Sequence, residues 1–491
     1  MYITKILGGT AMAKYGKGVI SVYDMPHEYE RKTLDGSKKY AESAKEIPVV
    51  READVIVVGG GPGGVASAVY AARSGAKTIL IERYGHLGGM ATGGLVNIIP
   101  NLANIYGEQC IGGFCEELIQ RLYARGGACF PPKEFWGKGN NEYVDKYLKA
   151  NMRHFYVRKD KNEEDVVLYT AVVDPEIAKD ELNIMVLDAG AELMLHTWVT
   201  SPIVEGNRVK GVVVETKAGR QAILGKVVID CTGDGDIIRD LDVEKIDYMR
   251  PGSRIAQFGW VFWICGVDLD KYDEVNDADP EKIKAIMGKI MEEGGRPFFS
   301  RGLLDHQKGV VWLHRLIGSL QQTDPEEMTY LDVEGRKTAV KTWELMKKYM
   351  PGFENSFIML SCPQLGTSGG LRIVGEYYVD EDDLERTEPF EDTIAVFADN
   401  DRGDRSLVNP KVYVPYRALL PKGVEGLLVA CRAFSSDHEF SEFFNLIPHC
   451  MCFGHAAGIA AALAVQQGID VRNVNFAELR EKLLEGGAIL P

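Results

Sequence analysis

Nine cysteines in 491 residues form no CxxC pair and no regular framework. That argues against a zinc ribbon or a ferredoxin-type cluster, and no metal site is expected. Reduced thiols in a cytoplasmic protein are the plainer reading. No stretch approaches 18 consecutive apolar residues. The longest run, Ala456 to Val465, is short and Ala-rich, so no membrane span is expected. The N-terminus carries Lys5, Lys14 and Lys17 without the apolar core of a secretory signal. Basic residues are in deficit, with 56 Lys+Arg against 71 Asp+Glu and a net charge of −15. A nucleic-acid binder wants a basic face, so that class is disfavoured. There is no internal repeat and no low-complexity segment. With 45% hydrophobic and 26% charged residues, the composition is that of an ordinary folded protein, with two to four domains or one large α/β domain carrying insertions.

What is present begins after a polar arm, residues 1–50, in which Arg31 to Glu46 reads as solvated arm or short helix. Asp54 to Val58 is a short, β-branched, apolar run, as expected of a strand buried on both faces. Gly59-x-Gly61-x-x-Gly64 follows, then an Ala-rich helical stretch stopped by Gly75. Lys77 to Ile81 is a second strand, ending at Glu82. Further along, Asp174-Pro175 opens a helix that runs to Ala189-Gly190. Glu192 to His196, Trp198 to Glu205, Arg208 to Glu215, Arg220 to Leu224 and Val227 to Asp230 read as strands separated by turns. Val166 to Val172 reads as one strand, and Gly454 to Gln467 as a closing helix that begins at Gly454. The reading divides the chain into an arm (1–50), a discontinuous nucleotide-binding domain (51–100, 172–245 and 405–475), a substrate or cap domain (101–171 and 246–404) and a tail (476–491). The fold class is α/β: a Rossmann-like parallel sheet with an inserted α+β substrate domain.

The first motif carries definite chemistry. In a strand–turn–helix context, Gly59 permits the tight turn, Gly61 lets a pyrophosphate approach the backbone at a helix N-terminus, and Gly64 lets the helix pack close to the strand. Glu82, 18 residues after Gly64, is placed to accept hydrogen bonds from an adenosine ribose. Three further features favour FAD over NAD. Gly88 to Thr92 is a small-residue loop able to lie against a flat ring. Asp230-Cys-Thr-Gly-Asp234 closes a late strand. Gly454-His455-Ala456-Ala457, 22 residues after Arg432, reads as a helix opening whose dipole faces a reduced flavin.

On these stretches (53–96, 172–199, 219–237 and 412–464) the chain resembles the FAD-dependent oxidoreductases of the two-dinucleotide-binding-domain type, related at a distance to fumarate reductase flavoproteins. The resemblance implies FAD as cofactor. It implies that Gly59, Gly61, Pro62, Gly63 and Gly64 hold the pyrophosphate and Glu82 the ribose. It sets Arg83, Gly89, Met90, Ala91 and Thr92 along the ribityl chain and ring, and Val199 at the adenine. Thr232, Gly233 and Asp234 line the cofactor, with Arg432, Gly454, His455, Ala456 and Ala457 at the flavin end. Where family members carry three arginines in the substrate domain, this chain keeps Arg372 alone, with Ser368 and Leu371 at the other two positions. An anion clamp of several guanidiniums is therefore not expected.

A flavin enzyme acting on a C–H or a double bond also needs a proton donor or acceptor. His438 is the first candidate, then Glu442, with Arg372 to orient a substrate oxygen. His86, just before the Gly88–Gly89 turn, is close enough in sequence to touch the flavin. No second GxGxxG is visible, so a separate electron donor or acceptor is expected. The expected activity is hydride transfer between flavin and a small organic substrate. The alternative is an FAD-bearing electron-transfer subunit in a larger complex. A homo-oligomer is expected in either case.

Overall fold

The computed structural model describes residues 38–246, 257–318, 323–367 and 369–491. Most of the arm and Ser368 lie outside the described residues; of the stretch read as arm or short helix, 38–46 is exposed and carries no regular structure.

The nucleotide-binding body is a seven-stranded sheet. Its strands are β1 (Val49–Val58), β2 (Thr78–Ile81), β3 (Glu192–Met194), β4 (Trp198–Glu205), β5 (Arg208–Thr216), β6 (Gly219–Asp230) and β7 (Leu427–Val429). β3, β2, β1, β6 and β7 run parallel, with Val58 level with Ile81 and Asp230, and Asp230 level with Val429. All these carboxyl ends therefore finish along one rim, which is where a doubly wound sheet binds its ligand. Val55 and Val57 pack into the core on one face, and Ile56 and Val58 into the core on the other. That two-sided burial explains the unbroken apolar run. The segments read separately as 220–224 and 227–230 form one twelve-residue strand. Its first half pairs antiparallel with β5 and its last three residues pair parallel with β7. The change of partner produces the change of texture at Gly225-Lys226. Conversely, the single strand expected over 166–172 is two, Asp165–Val167 and Ala171–Val173, in different sheets.

Helix α1 (Pro62–Arg73) follows β1, and α2 (Pro175–Asp188) precedes β3 with Asp174 capping Glu176 N and Ile177 N. The cap is built on an antiparallel sheet centred on Gln257–Cys265, which pairs with Val311–Gly318, Phe357–Ser361 and Gly366–Thr367. Helix α3 (Pro325–Tyr349) covers it, with Gly335 against the Trp260 ring. The chain then returns to the first body. Leu371, Ile373 and Val379 to Ala398 contribute to the two cores that sandwich the parallel sheet. Helices α4 (His438–Phe443), α5 (Ile447–Gln467) and α6 (Phe476–Glu485) close the fold. α5 is long and apolar enough to cross a membrane, but 94% of its most apolar window is buried inside the protein. It is the core helix that lies along α1.

Candidate functional site: a dinucleotide cleft under a cap

The β1–α1 turn is built by contacts that admit only glycine. Gly59 has φ +96°, and a Cβ there would stand 2.6 Å from Cys231 O. A Cβ on Gly64 would stand 1.7 Å from Gly59 O, and one on Gly63 would stand 2.1 Å from Ala430 O. These two glycines bring α1 down onto the sheet. Gly61 is different. It is the N-cap of α1, and nothing lies within 4 Å of its missing Cβ. Its bare backbone opens onto a cleft of about 560 Å³, within the range of small-molecule and cofactor sites. With Pro62 at the head of α1, the helix N-terminus faces that cleft and favours an anion there.

Glu82 follows β2 into the same cleft. Its Oε2 accepts from Gly60 N at 2.6 Å and its Oε1 from Tyr84 N at 2.8 Å. Those bonds fix the carboxylate at the cleft wall and leave lone pairs for a diol. Beside it the Arg83 guanidinium stands 5.0 Å from the Tyr84 ring centroid and 5.1 Å from that of Trp198. Arg83 thus stands with Trp198 and Val199 at the Glu82 end of the cleft. Asp236 and Arg239 complete that end.

Toward the cap, Thr232, Gly233 and Asp234 follow β6, held by the buried Asp230 carboxylate. Asp230 Oδ1 accepts from Thr232 N and Oγ1, and Oδ2 from Ile237 N. Arg432 passes over Gly233 and joins the two bodies: its Nη2 donates to Asp234 Oδ1 and to Thr367 Oγ1, both at 2.6 Å. Gly89 packs against Gly61, and with Met90 it walls the cleft. The N-terminus of α5, at Asn445 to Ile447, closes the far end. The cap contributes Met328 and Asp332 from α3 and Pro363 to Leu365 from the loop after Phe357–Ser361.

Of the cofactor candidates, Gly59, Gly61, Pro62, Gly63, Glu82, Arg83, Gly89, Met90, Val199, Thr232, Gly233, Asp234 and Arg432 line this one cleft. Gly64, Ala91 and Thr92 stand behind it; Thr92 is buried, with its hydroxyl donating to Leu87 O. The helix expected to open at Gly454 opens two turns earlier, at Ile447 with Pro448 in its first turn. Gly454, His455, Ala456 and Ala457 are accordingly interior. A Cβ on Gly454 would meet Gly63 O at 2.0 Å. His455 lies 3.6 Å from the Tyr70 ring, and burial pushes its pKa down to about 3. The Ala-rich run marked the body of α5, while Phe444 to Pro448 gave no helical rhythm.

The acid–base candidates are also displaced. Arg372 Nη2 and His438 Nδ1 stand 3.3 Å apart, both buried, and neither they nor Glu442 line the cleft. The reason is the docking of α4. Asp437 caps Phe440 N at 2.7 Å and accepts from Glu381 N at 3.0 Å, and Ser435 Oγ accepts from Gly375 N at 2.9 Å. These bonds tie 435–443 to 375–385 and leave the cleft to Asn445 onward. Asp236, Arg239, Trp198, Asp332 and Gln364 were not anticipated. Each lacks a local signal and reaches the cleft only through tertiary packing.

Residues 54–483 match the family model described as FAD dependent oxidoreductase. The chain belongs to that family of flavin enzymes, with FAD as cofactor. Among curated proteins it is similar to the thiamine thiazole synthase of Methanococcus maripaludis, 27% identical over 38% of this chain and 57% of that protein. It resembles that of Methanococcus vannielii equally, 27% identical over 39% and 60%. The chain thus spans a little over half the length of these relatives. Solved structures it is similar to include a geranylgeranyl bacteriochlorophyll reductase-like protein from Thermoplasma acidophilum (14% identity, TM-score 0.43, 89% of this chain and 84% of that one). The flavin-dependent brominase Bmp2 is another (13%, TM-score 0.41, 88% and 83%). The residues present fit FAD. Open backbone at Gly61 would receive the pyrophosphate, Glu82 would accept from the ribose, and the α5 N-terminus, which lines the same cleft, would suit the electron-rich edge of the ring.

Proposed function

We infer that the protein is an FAD-dependent oxidoreductase that moves a hydride between flavin N5 and a small organic substrate, with a separate electron donor or acceptor. The observation that carries this reading is the two-sided cleft. One wall is a dinucleotide cradle with Gly61 bare and Glu82 fixed, and the other belongs to a separate cap body. An electron-relay protein needs the first wall only. Bound there, FAD would supply the two-electron chemistry; Gly61 at the head of α1 would hold its pyrophosphate, and Met328, Leu365 and Gln364 would wall the cleft on the cap side. The reading also includes a homo-oligomer and a redox partner that docks transiently. The curated relatives make thiamine thiazole, and a synthase reaction on this fold is the competing outcome.

The test is the absorption spectrum of purified protein, then anaerobic reduction and re-oxidation by oxygen and by diffusible acceptors. Two flavin bands, with FAD released on denaturation, are expected. Gly61→Val places a side chain in the pyrophosphate path without a clash in the fold, so it is expected to give colourless, folded protein. Wild type that stays colourless with added FAD, or full FAD in Gly61→Val, would overturn the reading.

A further inference from the structure

The Glu82 end of the cleft carries a cation that the fold leaves uncommitted. Among the described residues, the Arg83 guanidinium makes no hydrogen bond and no ion pair. Two rings hold it instead, those of Tyr84 and Trp198, with centroids 5.0 and 5.1 Å from its Cζ. A cation–π contact keeps a guanidinium in place without consuming its N–H donors. Those donors stay available, and Arg83, Tyr84 and Trp198 all line the cleft. Asp236 feels the charge of Arg83 through space, but its ion pair is with Arg239, at 3.4 Å.

Trp198 stands beside it at the start of β4. It is 52% exposed, whereas Val199 next to it is buried. Its place is fixed from Glu82. Thr197 N donates to Glu82 O at 3.0 Å, and the Glu82 carboxylate is pinned by Gly60 N and Tyr84 N. A ribose held at Glu82 would therefore set its base against Trp198 and Arg83. An exposed indole in a ligand cleft is a stacking surface for a flat ring. Charge decides which kind of ring. Two carboxylates, Glu82 and Asp236, match two guanidiniums, Arg83 and Arg239, along this end. No surplus charge remains for a further phosphate, and a neutral ring with acceptor atoms on its edge fits.

We propose that Trp198 and Arg83 read the adenine base, the indole by stacking and the guanidinium by donating to ring nitrogens, and that this end of the cleft binds adenine nucleotides on its own, without a flavin half. The proposal rests on the FAD reading above. It adds the residues that select the base and a second ligand class, free adenine nucleotides, which compete with FAD for the empty protein. Adenine brings acceptor nitrogens and a two-ring face to this pair. Uracil brings one ring and stacks less strongly.

ADP and UDP, which share ribose and pyrophosphate and differ in the base, are each titrated into apoprotein. Binding is read by calorimetry and by quenching of tryptophan fluorescence. ADP is expected to bind roughly tenfold tighter than UDP and to displace FAD competitively. Trp198→Ala is expected to weaken ADP roughly tenfold and UDP by less, whereas Trp198→Phe, which keeps a ring, retains the preference. Arg83→Met, which keeps the length and loses the donors, is expected to weaken ADP roughly tenfold. Apoprotein melting checks that each variant is folded. Equal affinity for ADP and UDP, or variants that weaken both ligands alike, would overturn the assignment of the base to this pair. FAD is titrated in parallel. Protein that takes ADP but not FAD keeps this assignment and loses the flavin reading, and protein that takes FAD but not ADP does the reverse.

Discussion

Burial, with the neighbouring carboxylates Asp234 and Asp230, pushes the Asp236 carboxyl up from the ordinary 3.8 to about 6. An acid with a raised pKa holds its proton in the fold at pH values where the unfolded chain has lost it. The destabilising contribution is therefore absent below about pH 4, grows as pH rises toward 6, and is complete above that. At about 1.4 kcal/mol per pKa unit the upper bound is roughly 3 kcal/mol. The compensating pair with Arg239, at 3.4 Å and half-exposed on the arginine side, is worth under about 1 kcal/mol. Asp236→Asn is thus expected to raise the melting temperature of apoprotein at pH 7 to 8 and to leave it unchanged near pH 4. A gain of equal size at both pH values would show that ionisation of Asp236 is not the cause. This residue also marks where sequence reading stops. Gly59, Gly61 and Glu82 announce themselves because one turn and the end of the next strand fix their places. Asp236 is one more acid in a Gly-Asp-Gly-Asp run until its neighbours' burial is known.

At the scale of elements, the α1–α5 crossing decides where the pyrophosphate end of the cleft stands. The two helices approach through Gly63 and Ser67 on one side and Gly454 and Gly458 on the other. A Cβ on Gly458 would meet Ser67 O at 2.4 Å and Ala71 N at 2.9 Å, both backbone atoms that cannot swing aside. Gly458→Ala is expected to cost about 1–3 kcal/mol by overpacking, and also to weaken FAD binding because α1 carries Gly61 at its head. Gly288, inside the exposed-edge helix Pro280–Glu292, has nothing within 4 Å of its missing Cβ. Gly288→Ala is expected to stabilise by up to about 1 kcal/mol through helix propensity. Thermal unfolding of the two variants checks the pair, and the same sign for both would contradict the crossing geometry. The β1–α1–β2 unit and α2 were legible because strand run, turn glycines and the Asp174 cap are local signals. The start of α5 was not, since Phe444 to Pro448 becomes helical only where α5 is buried against α1. The placement of α4 was illegible for the same kind of reason. Its histidine and glutamate sit next to the cleft in sequence, and the Asp437–Glu381 and Ser435–Gly375 bonds carry them away from it.

Across the whole molecule the cleft is the seam between two bodies with separate cores, one around the parallel sheet and one around the cap sheet. Polar contacts that cross it include Arg432 to Thr367, Gln364 N to Gly93 O, the part-buried Arg158–Asp401 ion pair and the exposed His306–Asp174 pair at 2.7 Å. A ligand that touches both walls adds contacts that neither body makes alone. Binding to the folded state stabilises it by about 2.7 kcal/mol at a concentration one hundred times Kd. That term acts on the whole molecule only if the ligand spans the seam. Bound as proposed, FAD would reach from the Glu82 and Trp198 end of the cleft to its cap wall, whereas ADP would fill only the Gly61 and Glu82 end. FAD is therefore expected to raise the melting temperature with the logarithm of its concentration and to slow proteolysis within the cap. ADP at matched saturation is expected to protect α1 and β2 and to leave cap cleavage at the apoprotein rate. Proteolysis followed by mass mapping of the fragments distinguishes the two ligands. Equal cap protection by ADP would mean that the cap is held by its own packing, and that the ring end of the cofactor contributes nothing to joining the bodies.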